Sequence, residues 1–150
     1  MNIAMDTLEV HPTPIANFSW NTPTCQGSAV QFTDQSYMPA GFTGYIAKWL
    51  WDFGDGTTQT VYLPNSPNVQ HTYTGNTTTY LVTLTVCSND SCSASIQKVL
   101  NLMPSPVADF SYSVVTCTGQ AVDFTDLSQE NNGGLITQWL WNFGDPGRHG

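Results

Sequence analysis

The side chains best placed for chemistry are two carboxylates, Asp52 and Asp55, in the stretch Trp-Leu-Trp-Asp-Phe-Gly-Asp-Gly over residues 49–56. Such a pair could exchange protons with a substrate, or bind calcium, a hard cation that takes oxygen ligands. An aspartate in a turn more often accepts hydrogen bonds from backbone N–H groups. We therefore interpret both as structural turn residues, and keep a calcium site as a weaker hypothesis with no other cofactor expected. Asp34 and Asp126, each two residues before a serine, are interpreted in the same way as loop anchors.

The histidines form no recognisable zinc or catalytic arrangement. His11, His71 and His149 are widely separated, and none has the spacing to cysteine or carboxylate residues that is typical of zinc ligands. We expect His71 to pack or bond locally beside Tyr73. The sequence has no Gly-x-Ser-x-Gly, His-Glu-x-x-His or phosphate-binding glycine loop, so we predict no catalytic residue and no enzyme activity.

The four cysteines suggest one disulfide. Cys87 and Cys92 bracket four residues after an alternating strand, so they could face each other across a hairpin and form a disulfide in an exported protein. Cys25 and Cys117 occupy equivalent positions in an internal repeat. We expect Cys25 at the opposite end of the domain from the 87–92 loop, and both residues as buried thiols or as partners of groups outside this segment.

Composition and charge exclude several classes of partner. Only 9% of the residues are charged, and three Lys and Arg against eleven Asp and Glu give a net charge of −8. Nucleic-acid binding needs a basic stripe, and an anionic membrane surface would also repel this chain. No apolar run is long enough to span a membrane as a helix, and the first residues lack the features of a signal peptide. Either export is directed from elsewhere or the segment is a piece of a longer protein, and we favour the second.

Alternating apolar residues predict strands that position these side chains. Trp49, Trp51 and Phe53 fall on one face of an extended strand, and Asp55-Gly56 favours a tight turn after it. The same alternation predicts strands at Ala16/Phe18, at Val30/Phe32 and at Tyr80/Val82/Leu84/Val86. No stretch has the apolar spacing of a long helix. These short strands predict an antiparallel sandwich or barrel.

An internal repeat divides the chain. Residues 14–19 and 24–36 recur at 106–111 and 116–128, displaced by 92 positions, and the tryptophan strand recurs at 139–143. The sequence therefore predicts three parts: residues 1–12 as the last strand of a preceding repeat and a linker, residues 13–103 as a complete domain, and residues 104–150 as an incomplete second domain.

These motifs resemble the PKD (polycystic kidney disease) repeat family, and the resemblance implies an immunoglobulin-like antiparallel β-sandwich built as tandem repeats. It rests on Ala-x-Phe, Val-x-Phe-x-Asp-x-Ser, the tryptophan strand with its turn, His71-x-Tyr73 and the strand from Tyr80. The second copy departs from the pattern with Asn142 at the position of Asp52 and Pro146 at that of Gly56. The motif residues are Trp49, Trp51, Asp52, Phe53, Gly54, Asp55, Gly56, His71 and Tyr73, with Trp139, Trp141, Phe143, Gly144 and Asp145 in the second copy.

The resemblance implies a non-catalytic extracellular module, similar to the repeats of secreted and cell-surface proteins of Bacteroidetes. We expect a spacer and interaction surface in a multi-domain surface protein or adhesin, with neighbouring repeats, copies of itself, polysaccharide or extracellular protein as partners. One alternative is an accessory substrate-binding domain of a secreted hydrolase, with Trp20, Tyr37, Phe42, Tyr45 and Tyr62 as candidates for stacking on sugars. The other is a self-assembling filament subunit in which chains exchange strands.

Overall fold

The computed structural model describes residues 10–22, 25–75, 77–114, 117–131 and 135–144. These residues contain nine strands and no helix. The chain divides into two compact units, unit 1 (Met1–Leu102) and unit 2 (Met103–Gly150). The strand predicted from a preceding repeat falls on residues 1–9, which lie outside the described residues. Asp145 and Pro146 lie outside them as well, so what the sequence predicts for these residues remains a prediction. The strands are β1 (Phe18–Trp20), β2 (Ala29–Asp34), β3 (Ile46–Asp52), β4 (Thr58–Tyr62), β5 (Val69–Thr72), β6 (Thr79–Ser88), β7 (Ser93–Asn101), β8 (Phe110–Tyr112) and β9 (Phe124–Asp126).

Unit 1 is an antiparallel β-sandwich. One sheet has the strand order β1-β2-β5 and the other β4-β3-β6-β7. Both sheets contribute to one apolar core, which Phe18 and Phe32 enter from the first sheet and Trp51 and Leu84 from the second. The predicted all-β, immunoglobulin-like sandwich is confirmed.

Strand β3 is central because it is paired on both edges and buries its aromatic face. Trp49 pairs with Val61 of β4 and with Val86 of β6, and Trp51 pairs with Leu84. All five of these side chains are buried. The alternation of β3 therefore places its aromatic residues between the two sheets, where apolar burial stabilises the fold.

Three strands of unit 1 were not among those predicted from alternation. Strands β4 and β5 each bury a single residue, Val61 and Val69. Strand β7 carries Lys98 among its inward-facing positions, where the ammonium group donates to Asn17 Oδ1 and to the carbonyl of Phe18. A charged residue in the inward register weakens the apolar alternation on which the prediction depended.

Unit 2 contains only β8 and β9 among its described residues, paired as an antiparallel ladder. The strand predicted at residues 139–143 is not formed, since residues 135–144 have no ladder partner. In unit 1 the equivalent β3 is held by β4 on one edge and by β6 on the other. A strand needs such a partner for its backbone N–H and C=O groups, and the described part of unit 2 supplies none.

Candidate functional site: the motif turn and the aromatic surfaces

The two carboxylates of the motif bind the backbone of their own turn. Asp52 Oδ1 accepts a hydrogen bond from the Gly54 amide at 2.9 Å. Asp55 Oδ1 accepts from the Thr57 amide at 3.0 Å and from the Thr57 hydroxyl at 2.6 Å. The chain reverses as expected, but through a longer loop than a two-residue turn, because β3 and β4 resume pairing at Asp52 and Thr58. The geometry supports the structural interpretation of both aspartates.

His71 reaches the turn from β5 and joins it to the core. Its Nε2 lies 2.7 Å from Asp55 Oδ2, and its ring stacks on Phe53 with 4.0 Å between ring centroids. Tyr73 meets the edge of this ring at 4.6 Å, and its hydroxyl donates to the Phe53 carbonyl at 3.1 Å. The contact of His71 with Tyr73 was expected. The link to Asp55, sixteen residues away, has no local sequence signal and was missed.

Two groups in this cluster have displaced pKa values. Burial alone would raise the pKa of the Asp55 carboxyl, but hydrogen bonds from Thr57 and His71 and the charge of His71 outweigh it and lower the pKa below 3.8. Burial raises the pKa of the Tyr73 phenol, and the negative charges of Asp55 and Asp52 raise it further. Asp55 therefore stays ionised as an acceptor while Tyr73 stays a neutral donor across the physiological range.

We expect Asp55→Asn to remove an acid-sensitive part of the stability of unit 1. The pKa of Asp55 is lower in the folded state, so its contribution is complete above the unfolded value of 3.8 and is lost as the pH falls through the folded pKa. At neutral pH the unfolding free energy of the variant should be about 1 kcal/mol below that of the wild type. This difference should become smaller as the pH falls. Urea unfolding of the full chain, from neutral pH to below 3.8, measures both.

The matched control for Asp55→Asn is Asp52→Asn. The asparagine keeps a side-chain oxygen that accepts from the Gly54 amide, so stability at neutral pH should change little. If the unfolding free energies of Asp55→Asn and the wild type change equally with pH through the acid range, the stabilising role of ionised Asp55 is contradicted.

The motif also fixes the second sheet against the first through a tryptophan. The Trp49 indole N–H donates to Asp34 Oδ2 at 2.9 Å, while Asp34 Oδ1 accepts from the Ser36 amide at 3.1 Å. Asp34 thus anchors the loop after β2 and the start of the motif together. The Trp51 indole N–H donates to the carbonyl of Pro67 at 3.1 Å, which ties the same strand to the loop before β5.

Unit 2 repeats these contacts at the equivalent positions of the second repeat. The Trp139 indole N–H donates to Asp126 Oδ2 at 2.8 Å, and Asp126 Oδ1 accepts from the Ser128 amide at 3.0 Å. Hydrogen bonds from Ser128 come first among the causes that lower the pKa of the Asp126 carboxyl. The Gly144 amide donates to Asn142 Oδ1 at 2.9 Å, as Gly54 does to Asp52. Since a neutral amide performs this role at Asn142, the turn at that position does not require a charge.

The aromatic residues of the second motif are exposed where those of the first are buried. Trp141 is 38% exposed against 0% for Trp51, and Phe143 is 58% exposed against 2% for Phe53. Together with Phe110 and Phe124, Trp141 and Phe143 line a cleft of about 420 Å³ within unit 2.

The cysteines do not form the predicted disulfide. Cys87 lies directly opposite Ser93 in the β6–β7 ladder, so Cys92, one residue before Ser93, points to the other face of the hairpin. Cys87 and Cys92 are both free, and the Cys92 thiol donates to the carbonyl of His11 at 3.8 Å. Cys25 and Cys117 are exposed, so the buried-thiol alternative is wrong for both, and a partner outside this segment stays a prediction.

The proposed sugar-stacking residues differ in their surroundings. Trp20 is half-buried and packs on Phe18 and Phe32 of the core. Tyr62 lies beneath the ammonium group of Lys48, 5.7 Å from its ring centroid. The remaining candidates are Tyr37, Phe42 and Tyr45, and each of them is exposed.

Metal-binding groups do not converge within the part of the chain that the structure describes. No three side chains of His, Cys, Asp or Glu among those residues could hold a metal ion together. Likewise, no helix formed by the described residues is long and apolar enough to cross a membrane.

The fold and the motif together define a class of protein: an immunoglobulin-like β-sandwich module whose signature residues bind one another. The chain belongs to the PKD domain family, whose model matches residues 11–102. No curated protein matches the sequence significantly.

Solved structures that are similar to this chain include the three that follow. The PKD1 domain of the Vibrio cholerae metalloprotease PrtV has 28% identity and a TM-score of 0.49, over 60% of this chain and 96% of that one. The PKD1 domain of Vibrio anguillarum Epp has 22% identity and a TM-score of 0.49, over 60% of this chain and 93% of that one. A structure from a study of promiscuous carbohydrate-binding modules of the β-sandwich superfamily has 19% identity and a TM-score of 0.54, over 75% of this chain and 52% of that one. The last likeness shows the sandwich fold.

Proposed function

We propose that this chain is a non-catalytic extracellular part of a multi-domain surface protein or adhesin, in which PKD domains act as spacers and interaction surfaces. The observation that carries the proposal is the recurrence of one contact set in both units. Trp49 with Asp34, and Trp139 with Asp126, make the same indole-to-carboxylate hydrogen bond in the two repeats. A motif that holds its own domain together, and is used twice along one chain, suits a modular spacer.

A spacer should carry tension as a folded body. We expect unit 1 of the full chain to unfold in one step when pulled between its ends, with an extension of about 300 Å, since an extended chain spans about 3.3–3.6 Å per residue. Single-molecule force spectroscopy measures this step. Gradual lengthening of unit 1 without a discrete step would contradict the spacer role.

The second candidate function is an accessory substrate-binding domain of a secreted hydrolase. It is favoured by Phe42 and Tyr45, which are exposed on the chain that leads into β3 and are free to stack on sugars. Retention of the full chain on insoluble polysaccharide, lost in Phe42→Ala and Tyr45→Ala, would favour this function over the spacer. If the wild type and the two variants all pass through a column of this polysaccharide without retention, the substrate-binding function is rejected.

A further inference from the structure

Strand β4 forms an edge of unit 1 without the usual protection against pairing with another chain. It lies at the end of the order β4-β3-β6-β7, and four of its five residues are exposed. Natural sheets protect such edges with very short strands, prolines or charged side chains. Residues 57–63 are Thr-Thr-Gln-Thr-Val-Tyr-Leu, with no charge, proline or glycine. This composition favours pairing between strands of separate chains.

The other edge strands described in unit 1 do carry protection. Strands β1 and β5 have only three and four residues. Strand β7 has nine, but its Lys98 lies in the inward register and donates to Asn17 Oδ1 and to the Phe18 carbonyl. Short strands and inward-pointing charges both oppose the addition of a further strand. Among these edges, β4 is therefore the one best suited to pair.

Alternate residues of β4 direct their backbone groups outward. The Phe53 N–H donates to the Thr57 carbonyl at 3.2 Å, and the Leu63 N–H donates to the Ala47 carbonyl at 3.1 Å. In an antiparallel ladder every second residue faces its neighbour strand, so the odd-numbered residues of β4 face β3. The even-numbered residues direct their N–H and C=O groups to the free edge, and these are Thr58, Thr60 and Tyr62.

This edge is self-complementary. When two copies lie antiparallel with Thr60 facing Thr60, the Thr58 of each copy lies opposite the Tyr62 of the other. Every outward N–H group then has a carbonyl partner. The Tyr62 carbonyl already accepts from the Asn65 amide at 3.0 Å, but a carbonyl oxygen has a second lone pair. Threonine pairs and aromatic pairs with β-branched residues also stabilise neighbouring strands.

The charges beside the edge agree with this register. On the outer face of the sheet, Lys48 is paired with Tyr62 and Asp52 with Thr58. The register therefore places Lys48 of one copy and Asp52 of the other on a common row, where their charges are opposite. The net charge of −8 makes two chains repel each other in general. An uncharged edge is a place where two copies can meet with little of that repulsion.

We propose that two copies of this chain associate through β4 and form one continuous sheet across a twofold axis at Thr60. Backbone pairing supplies the contact, as in other strand-addition complexes. Because a single edge strand buries little surface, the association is weak and reversible. Such pairing rests on the proposed function, since it supplies the partner of the interaction surface. The spacer role does not depend on it, because force spectroscopy tests that role on single molecules.

Sedimentation equilibrium of the full chain under reducing conditions tests the pairing. We expect a monomer–dimer equilibrium at concentrations up to about 1 mM, where binding of about 4 kcal/mol becomes measurable. Thr60→Lys should weaken it by at least about tenfold, because two lysine side chains would face each other at the axis. The matched control is Ser95→Lys, on the same row of the outer face but at the β7 edge. It adds the same charge and should change the dissociation constant by less than about twofold.

A charge-exchange experiment tests the twofold register itself. Thr60→Glu alone should weaken the dimer as Thr60→Lys does, while an equal mixture of the two variants should recover it, because opposite charges then meet at the axis. Thr60 is exposed, so both variants should keep the circular dichroism spectrum of the wild type. A wild type that stays monomeric overturns the proposal, as does a dimer insensitive to Thr60→Lys or a mixture without recovery. Loss of the dimer in Ser95→Lys also overturns it, because the copies would then be joined at β7.

Discussion

Replacing Trp51 by alanine is expected to lower the unfolding free energy of unit 1 by about 3–5 kcal/mol, the range found for buried aromatic residues. Trp51 is fully buried, and its ring lies 5.3 Å from Phe18 and 5.7 Å from Phe32. The substitution also leaves the Pro67 carbonyl without its indole donor. Urea unfolding of the full chain, followed by far-UV circular dichroism, measures the loss for the main transition.

The matched control for Trp51→Ala is Trp141→Ala, the same substitution at the equivalent position of unit 2. Because Trp141 is 38% exposed, we expect a cost of about 1 kcal/mol or less. Equal costs at the two positions would show that Trp51 is not the buried centre of the sandwich. The difference between the two variants therefore measures how much burial between the two sheets adds to the stabilising effect of this tryptophan.

The sequence predicted the fold of unit 1 because its strongest signals are inward-facing aromatic and β-branched residues. Trp49, Trp51 and Phe53 alternate without interruption, and all three are buried as that pattern requires. The displacement of 92 also located equivalent residues, such as Asp34 and Asp126, which make the same hydrogen bonds in the two units. Patterns with a fixed period are set by local backbone geometry, so one sequence reveals them.

Interactions between distant residues were predicted less well. The pairing of Asp55 with His71 depends on where β5 lies beside the turn, and no local pattern specifies that position. The disulfide expected for Cys87 and Cys92 failed for a similar reason. A register difference of one residue moves a side chain to the other face of a hairpin, and spacing along the chain does not reveal the register.

The two copies of the motif show that its local and tertiary parts are separable. The Asn142 turn and the Trp139 hydrogen bond form in unit 2 although β3 has no equivalent strand there. The Asn142 turn needs only neighbouring residues, and the Trp139 hydrogen bond needs only the end of β9. Burial of the aromatic face of unit 1 depends in addition on the strands that follow β3.

Replacing Gly54 by alanine is expected to lower the unfolding free energy of unit 1 by about 2–5 kcal/mol, from a left-handed backbone and a steric clash together. Gly54 has a φ of 78°, which disfavours any residue with a Cβ atom. An added Cβ would lie 2.6 Å from the Leu81 carbonyl oxygen and 3.0 Å from the Leu81 nitrogen. Both are backbone atoms of β6, so relief requires the sheet itself to move. The midpoint of urea unfolding of the full chain measures the loss.

Gly56→Ala separates the two causes of that loss. Gly56 has a φ of 91°, but an added Cβ would meet nothing within 4 Å. Its cost should be that of the backbone alone, about 1–2 kcal/mol, and the difference from Gly54→Ala measures the clash with Leu81. Gly144, with a φ of 75° and the same open surroundings, should behave like Gly56 rather than like its equivalent, Gly54. A loss for Gly54→Ala no larger than that for Gly56→Ala would mean that β6 does not press on the motif turn.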